Sequence, residues 1–467
     1  MPHKHTLILL FLLFGSQQLI SQGLFEQSLE GTGSGNNSYL GGKVRNVFYV
    51  GTGSDNDKLL VQSMYSQLNL LADYRAGEYG KAFADIRFRG GYEFENRFAN
   101  IDIREAYGEI FAGPVNISAG KQILSWGASS FINPSDQFSP VDRTFRSPFT
   151  DDQYLGQWAL QADLLIRSTS TLQLLWIPVH QPSALMVKPF DFPAYIGLKA
   201  YEPSPGLLSE SGFGFRYDLR SGFMDLQLSY YNGFRNDPAI SLDTAVFDAA
   251  SLQPEMIGLA REPYRIHSAG FNITIPVGSY LLRTEGAWME PFSEEGPQEK
   301  PLSELAYTLE IEQSGPNVSL IAGYYGKYIL DFEGLESDLS MLTEGFPDPA
   351  AIFPPGTVPD QAALVDYIGL QVHGFNRLYN YQQKEFYHAA YASATISVLH
   401  DQVEVEIPGM YNFTTGELTF MPAVKYDVTD GLSLQMGAFF LAGDEQSLFD
   451  LIAPVLNAGY LLVEFNF

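Results

Sequence analysis

From about Leu40 onward the chain alternates apolar and polar residues with period two. "ELAYTLEIEQ" puts Leu305, Tyr307, Leu309 and Ile311 on one face and Glu304, Ala306, Thr308, Glu310 and Glu312 on the other. "QVEVEIPGMY" sets Val403, Val405 and Ile407 against Gln402, Glu404 and Glu406, and "FMDLQLSYYN" and "ELTFMPAVKYDV" repeat the pattern. This is the period of a β-strand with two unlike faces. Each segment runs roughly 9 to 12 residues, the length of a tilted strand that crosses a membrane. A soluble propeller would alternate too, but it would repeat every 40 to 50 residues or so, and no such repeat is found. The last segment, "LLVEFNF", offers Leu461, Val463, Phe465 and Phe467 to lipid and is expected to close a ring. One segment breaks the rule. In "IDIREAYGEIFAG", Ile101, Ile103, Tyr107 and Phe111 share a face with Glu105 and Glu109. A β-bulge near Arg104 would repair the phase, with Glu109 near the periplasmic interface; Glu105 has no account from the pattern.

Between the segments, tight turns alternate with long connections. "AGP" at 112–114, "RSTS" at 167–170, "LRSG" at 219–222, "PVGS" at 276–279, "QSGP" at 313–316 and "VTDG" at 428–431 are short. Long connections fall near 126–153, 180–208, 234–262 and 330–380. The predicted fold is all-β: a closed antiparallel transmembrane barrel of about 18 strands, with 16 as the alternative count, short periplasmic turns and long extracellular loops. Within the last long connection, "PDQAALVDYIGLQV" predicts a short helix with Pro359 in its first turn.

Composition narrows the class further. The apolar fraction of 45% excludes a disordered acidic chain, and a net charge of -27 argues against nucleic acid as a partner. Without cysteine there are no disulfides, thiolate metal sites or lipid-modified cysteine. At the start, Lys4 with His3 and His5 precedes an apolar run at 7–14 that is too short to span a bilayer. Residues 1–22 are therefore expected to be a signal peptide, 23–38 a flexible lead-in and 39–467 the barrel, placed in the outer membrane of a Gram-negative bacterium. The lead-in is too short for a plug domain.

The stretch "REAYGEIFAGPVNISAGKQILSWGASSFINPSDQFSPVDR" carries a recognisable signature. Its elements are Arg104-Glu105-Ala106-Tyr107, Gly120-Lys121-Gln122, Trp126-Gly127, and the turns Asn133-Pro134-Ser135-Asp136 and Ser139-Pro140-Val141-Asp142. It resembles a group of porin-like Gram-negative outer-membrane barrels, distantly similar in style to alginate-export barrels. The second turn departs from that pattern by beginning with Ser139. The resemblance implies an outer-membrane pore or transporter and names no substrate. A C-terminal strand ending in Phe467 also resembles the signal read by the barrel-assembly machinery.

Two Asx-Pro or Ser-Pro turns so close together make a stiff, self-bonded loop. Folded inward, it would narrow the lumen, with Trp126, Asn133, Asp136, Asp142, Arg143 and Arg146 at the constriction. The alternative is that both aspartates only cap turns. A calcium loop built from Asp136, Asp142, Asp151 and Asp152 lacks the spacing of an EF-hand. Lys81, Arg87 and Arg89 in "KAFADIRFRG" are read as a basic lumen wall. Glu304, Glu310, Glu312, Glu404, Glu406 and Glu417 are read as an acidic wall roughly opposite, because like charges on one strand have no local partner. The alternative is that these charges pair with neighbours. Residues 331–371 hold acidic residues and no Lys or Arg, which suits a solvated surface bridged to lipopolysaccharide by divalent ions. His180, His267, His373, His388 and His400 show no metal-ligand spacing, and no nucleophile, phosphate or dinucleotide motif appears. No cofactor and no catalytic residue is expected, and His388 reads as an interface residue. The function read is passive passage of small polar solutes. Exopolysaccharide export, a plugged structural or adhesive barrel, and an outer-membrane hydrolase are the alternatives.

Overall fold

The computed structural model describes residues 36–53, 56–94, 96–184, 193–199, 201, 208–292, 300–335, 346–348, 352 and 360–467. The expected signal peptide, most of the lead-in and Pro359 lie outside them. The strands in chain order begin with β1 (Asn36–Gly53), β2 (Asn56–Ala76), β3 (Gly80–Glu93), β4 (Asn96–Ala112), β5 (Val115–Gln122), β6 (Gln157–Arg167) and β7 (Ser170–Ile177). They continue with β8 (Ile196–Leu198), β9 (Gly212–Arg220), β10 (Asp225–Phe234), β11 (Ala239–Phe247), β12 (Pro254–Glu262), β13 (Arg265–Val277), β14 (Tyr280–Phe292) and β15 (Glu304–Ser314). Last come β16 (Val318–Ile329), β17 (Phe386–Val398), β18 (Val403–Asn412), β19 (Glu417–Phe420), β20 (Ala423–Thr429), β21 (Leu432–Ala442) and β22 (Ala458–Asn466). The helices are α1 (Gln361–Tyr379) and α2 (Leu448–Leu456).

One sheet of 19 segments runs antiparallel around the molecule and closes where β22 pairs with β1. β19 and β20 are two halves of one strand, since both lie between β18 and β21. The break falls at Pro422, which has no N–H for the ladder. The result is a closed barrel of eighteen strands. Its two faces follow the alternation in the sequence. Along β15, Leu305, Tyr307, Leu309 and Ile311 are 40–52% exposed, while Glu304, Ala306, Thr308 and Glu310 are buried. On β22, Leu461 and Phe465 are exposed outward, as is Phe467 just past its end, and Leu462 and Glu464 turn inward. No helix among the described residues is long and apolar enough to cross a membrane.

The bulge stands where the phase argument placed it. Asp85 pairs with Glu105 and Ile86 with Ile103, which leaves Arg104 as the extra residue. The bulge reverses the facing of everything after it. Ile101 and Ile103 look outward, whereas Glu105, Tyr107, Glu109 and Phe111 look inward, so they do not share the outer face assigned from the sequence. Glu105 then accepts the Ile123 N–H at 2.9 Å, and Glu109 meets Lys81 at 3.0 Å.

The long connections are structured. β11 and β12 form a hairpin, β8 adds to it in parallel, and α1 packs on the three. Ile240, Phe247, Ile257, Leu364, Ile368 and Val372 form the core of this cap on the long-loop side. The helix predicted over 359–372 is real and longer, 19 residues, with the Asp360 side chain accepting the Ala363 N–H at 2.8 Å as its N-cap.

Candidate functional site

Residues 123–156, between β5 and β6, fold into the barrel and cross it. Leu124, Trp126 and Phe138 cannot face lipid from there, so they bury against the inward side chains Ala159, Leu175, Ile177, Tyr231, Ile266 and Met289. Each such large side chain contributes about 1.5–3 kcal/mol on burial. Trp126 donates through Nε1 to Gln173 Oε1 at 3.0 Å, and its ring meets Phe138 edge-on at 4.8 Å. The lumen beside β6, β7, β9, β10, β13 and β14 is therefore packed.

A loop inside a barrel must find partners for its backbone amides, or each one left bare costs about 1–3 kcal/mol. The barrel wall supplies carboxylates. Glu285 accepts the N–H groups of Ala128 (3.0 Å), Ser129 (3.2 Å) and Ser135 (2.8 Å). Glu310 accepts the Ser130 N–H at 3.1 Å and its hydroxyl at 2.9 Å, and Phe131 stacks on Tyr391 at 4.7 Å. On the other side, Arg146 donates to Gln62 Oε1 at 2.7 Å and lies 3.5 Å from Glu93, with its guanidinium over Phe94. Asp152 pairs with Arg45, and its carbonyl accepts from Arg87 at 2.7 Å. Although buried, Asp152 is held below the usual carboxylate range by Arg45 and Lys43.

The candidate residues thus occupy different places. Trp126 anchors the segment, and the Asn133 carbonyl accepts the Asp136 N–H at 3.1 Å in a turn. Asp136 accepts the Ser139 hydroxyl at 2.6 Å, and Asp142 accepts the Thr144 N–H at 2.9 Å. Burial pushes the Asp136 carboxyl up to about 7 against the bonds from Ser139. Arg143 turns to the cap, where it meets Asp237 at 2.7 Å. Asp136, Asp142, Asp151 and Asp152 do not converge, and no metal-holding group of three such side chains occurs among the described residues.

The premise that the wall charges lack local partners is corrected by the adjacent strands. Lys81 meets Glu109, and Arg87 meets Asp102 at 3.1 Å. Arg89 lies over the Phe145 ring at 3.4 Å. Glu304 meets Lys327 at 2.6 Å, and Arg283 bridges Glu310 (2.6 Å) and Glu312 (2.5 Å). Glu417 accepts the Phe449 N–H at 3.0 Å and so ties down α2. Pairing across a ladder depends on register, which strand-by-strand reading does not supply.

Glu404 and Glu406 instead line an open space. A cavity of about 180 Å³ lies against β1, β18, β20, β21 and β22, roughly opposite the packed side, with Phe149 of the crossing segment on its wall. Its charges are Arg45, Lys425, Glu404, Glu406 and Glu464. Arg45 and the loop-holding Glu285 escaped the sequence reading, while Lys425 and Glu464 fell on the inward face of their segments without being singled out. The period-two phase could have placed Arg45 and Glu285 inward too; which of the four met a loop or a void needed the fold. His388 sits outside the lumen, bonded to the Tyr324 phenol and stacked with Phe386.

No family model and no curated protein matches the chain. Solved structures do. Acinetobacter baumannii OccAB3 aligns over 92% of this chain and 99% of its own at 9% identity, TM-score 0.53. Pseudomonas aeruginosa OccK5 (OpdH) aligns over 92% and 98% at 9% identity, TM-score 0.52. Pseudomonas aeruginosa OccK2 (OpdF), solved in complex with glucuronate, aligns over 92% and 98% at 10% identity, TM-score 0.51. The distant likeness to alginate-export barrels finds no support among these three. The similarity is one of fold, and by it this chain builds the same closed porin-type barrel as the Occ proteins.

Proposed function

We propose that the protein is an outer-membrane channel through which small polar solutes diffuse down their own gradients. The observation that carries this reading is the crossing segment. It fills one side of the lumen with packed side chains, is braced on both walls, and leaves a narrow charged space on the other side. Such a barrel admits solutes by size and polarity. The bounding charges, three carboxylates against two cations, favour cations and dipolar solutes over anions. A lumen this narrowed and this mixed in charge suits a small solute better than an acidic polymer chain. Glucuronate, the anion bound in the OccK2 structure, is a useful comparison solute, expected to pass more slowly here than a zwitterion of similar size.

Planar-bilayer recording tests the proposal. The purified protein is expected to give discrete conductance steps that pass K⁺ more readily than Cl⁻. Replacing 128–147 with a short Gly-Ser link should raise the step several-fold. Glu404→Gln with Glu406→Gln should reduce the cation preference. Steps absent from both the full protein and the shortened one would remove the channel reading.

A further inference from the structure

The outer wall carries a second concavity unrelated to the lumen. A cavity of about 440 Å³ lies across β6, β7, β9 and β10. Leu160, Leu174, Trp176, Phe213, Phe215 and Tyr230 line it, with Ala162 a small outward residue among them. Register places these side chains on the same outward face: Trp176 stands opposite both Leu160 and Phe213, Leu174 opposite both Ala162 and Phe215, and Phe215 opposite Tyr230. Trp176 and Phe213 stack at 6.5 Å, and Phe215 and Tyr230 lie 5.6 Å apart. These residues sit near the ends of β7, β9 and β10 that lead into the long loops. The concavity therefore faces the outer leaflet. The Trp176 indole N–H is buried without a partner among the described residues.

A cation is fixed above it. Arg265, the first residue of β13, donates to Asn232 Oδ1 at 2.7 Å, to the Ser211 carbonyl at 3.2 Å and to the Ser209 carbonyl at 3.4 Å. Its guanidinium lies 5.2 Å from the Phe234 ring centre and 5.9 Å from that of Phe292. None of these partners is a carboxylate, and no ion pair involves Arg265 among the described residues. Asn232 also lines the cavity, and it and the Tyr230 phenol both meet His267 Nδ1. Two backbone carbonyls, the Asn232 side chain and two rings thus hold a guanidinium at the membrane surface with no carboxylate partner among the described residues, beside an apolar concavity that Asn232 also lines. That pairing of cation and grease complements an amphiphile whose anionic head lies at the interface and whose chain runs down the wall. Among the described residues Glu290, opposite His267 in register, is an exposed carboxylate on this face, and Glu210 lies between Ser209 and Ser211; both oppose the head electrostatically.

We propose that this outer wall is a lipid-binding site, with the concavity taking one acyl chain and Arg265 taking the phosphate of a phosphorylated outer-leaflet lipid. The site rests on the outer-membrane placement of the barrel but not on the channel reading. Native mass spectrometry of the detergent-purified barrel tests it, with bisphosphorylated lipid A and its dephosphorylated form as probes. One phosphorylated lipid should stay bound per barrel. Arg265→Gln should weaken retention roughly tenfold, as expected for loss of a charge-assisted contact. Ala162→Leu should do the same by filling the concavity, and Glu290→Gln should strengthen retention. Gel mobility with and without boiling reports whether each variant is folded. Equal retention by the wild type, Arg265→Gln and Ala162→Leu would overturn the site. So would equal retention of both lipids. Ala162→Leu changing the oligomeric state while lipid retention stays constant would assign the wall to a second copy of the chain instead.

Discussion

Asp136 shows how one buried carboxyl can tie the crossing segment to pH. Burial raises it from the usual value near 3.8 to about 7, and the Ser139 bonds offset only part of that. A carboxyl raised in the folded state costs nothing below its unfolded value and costs progressively more as pH rises toward the folded one. Stability should therefore fall between about pH 4 and about pH 7. Asp136→Asn keeps an acceptor for Ser139 and removes the titration. Its urea midpoint should match the wild type near pH 4 and exceed it near pH 8; parallel profiles would refute the assignment. Gly127, in the same motif, has φ +106°, and a Cβ there would come within 2.8 Å of Glu285 Oε1. The Trp-Gly pair was visible in the sequence as a signature. Its reason, a backbone pressed against a wall carboxylate, was not.

At the scale of elements, the cap is where sequence reading fell short. Residues 234–262 read as a long connection because β11 and β12 share no lipid face and carry no barrel-length alternation. Their apolar residues answer to α1, more than a hundred positions away. Asn376 is the fastener: its Oδ1 accepts the Ile240 N–H at 3.0 Å and its Nδ2 donates to the Ile240 carbonyl at 2.7 Å. Asn376→Ala strands both buried groups and should cost the cap about 2–3 kcal/mol. Protease added to intact cells should then cut within 239–262 sooner than in the wild type, while the barrel keeps its folded gel mobility. An unchanged cleavage rate would show that the apolar core of the cap holds without this contact.

The whole molecule is governed by one division of surface, lipid outside and polar groups within. Leu309 lies midway along β15 and is 52% exposed on the outer face. Leu309→Arg should destabilise the barrel in lipid vesicles by about 2–4 kcal/mol in urea unfolding, the penalty for a cation near the bilayer midplane. A change within error would mean that this face does not meet hydrocarbon. Ring closure belongs to this scale as well. β22 pairs with β1 from Gly51↔Ala458 to Lys43↔Asn466, and Arg45 meets Glu464 across that seam.

Alternation, turn chemistry and segment length determined the barrel, its strand count to within two, the facing of most wall residues and the bulge near Arg104. All of these are local consequences of a two-residue period meeting a two-phase surrounding. Tertiary structure alone decided that Arg143 would brace the cap, that Glu285 would hold a loop, that most wall charges would be paired, and that Glu404 and Glu406 would be left beside open space. Those outcomes depend on register between strands and on where 123–156 lies once inside the ring. Both are set by contacts between residues far apart in the chain, and no local period records them.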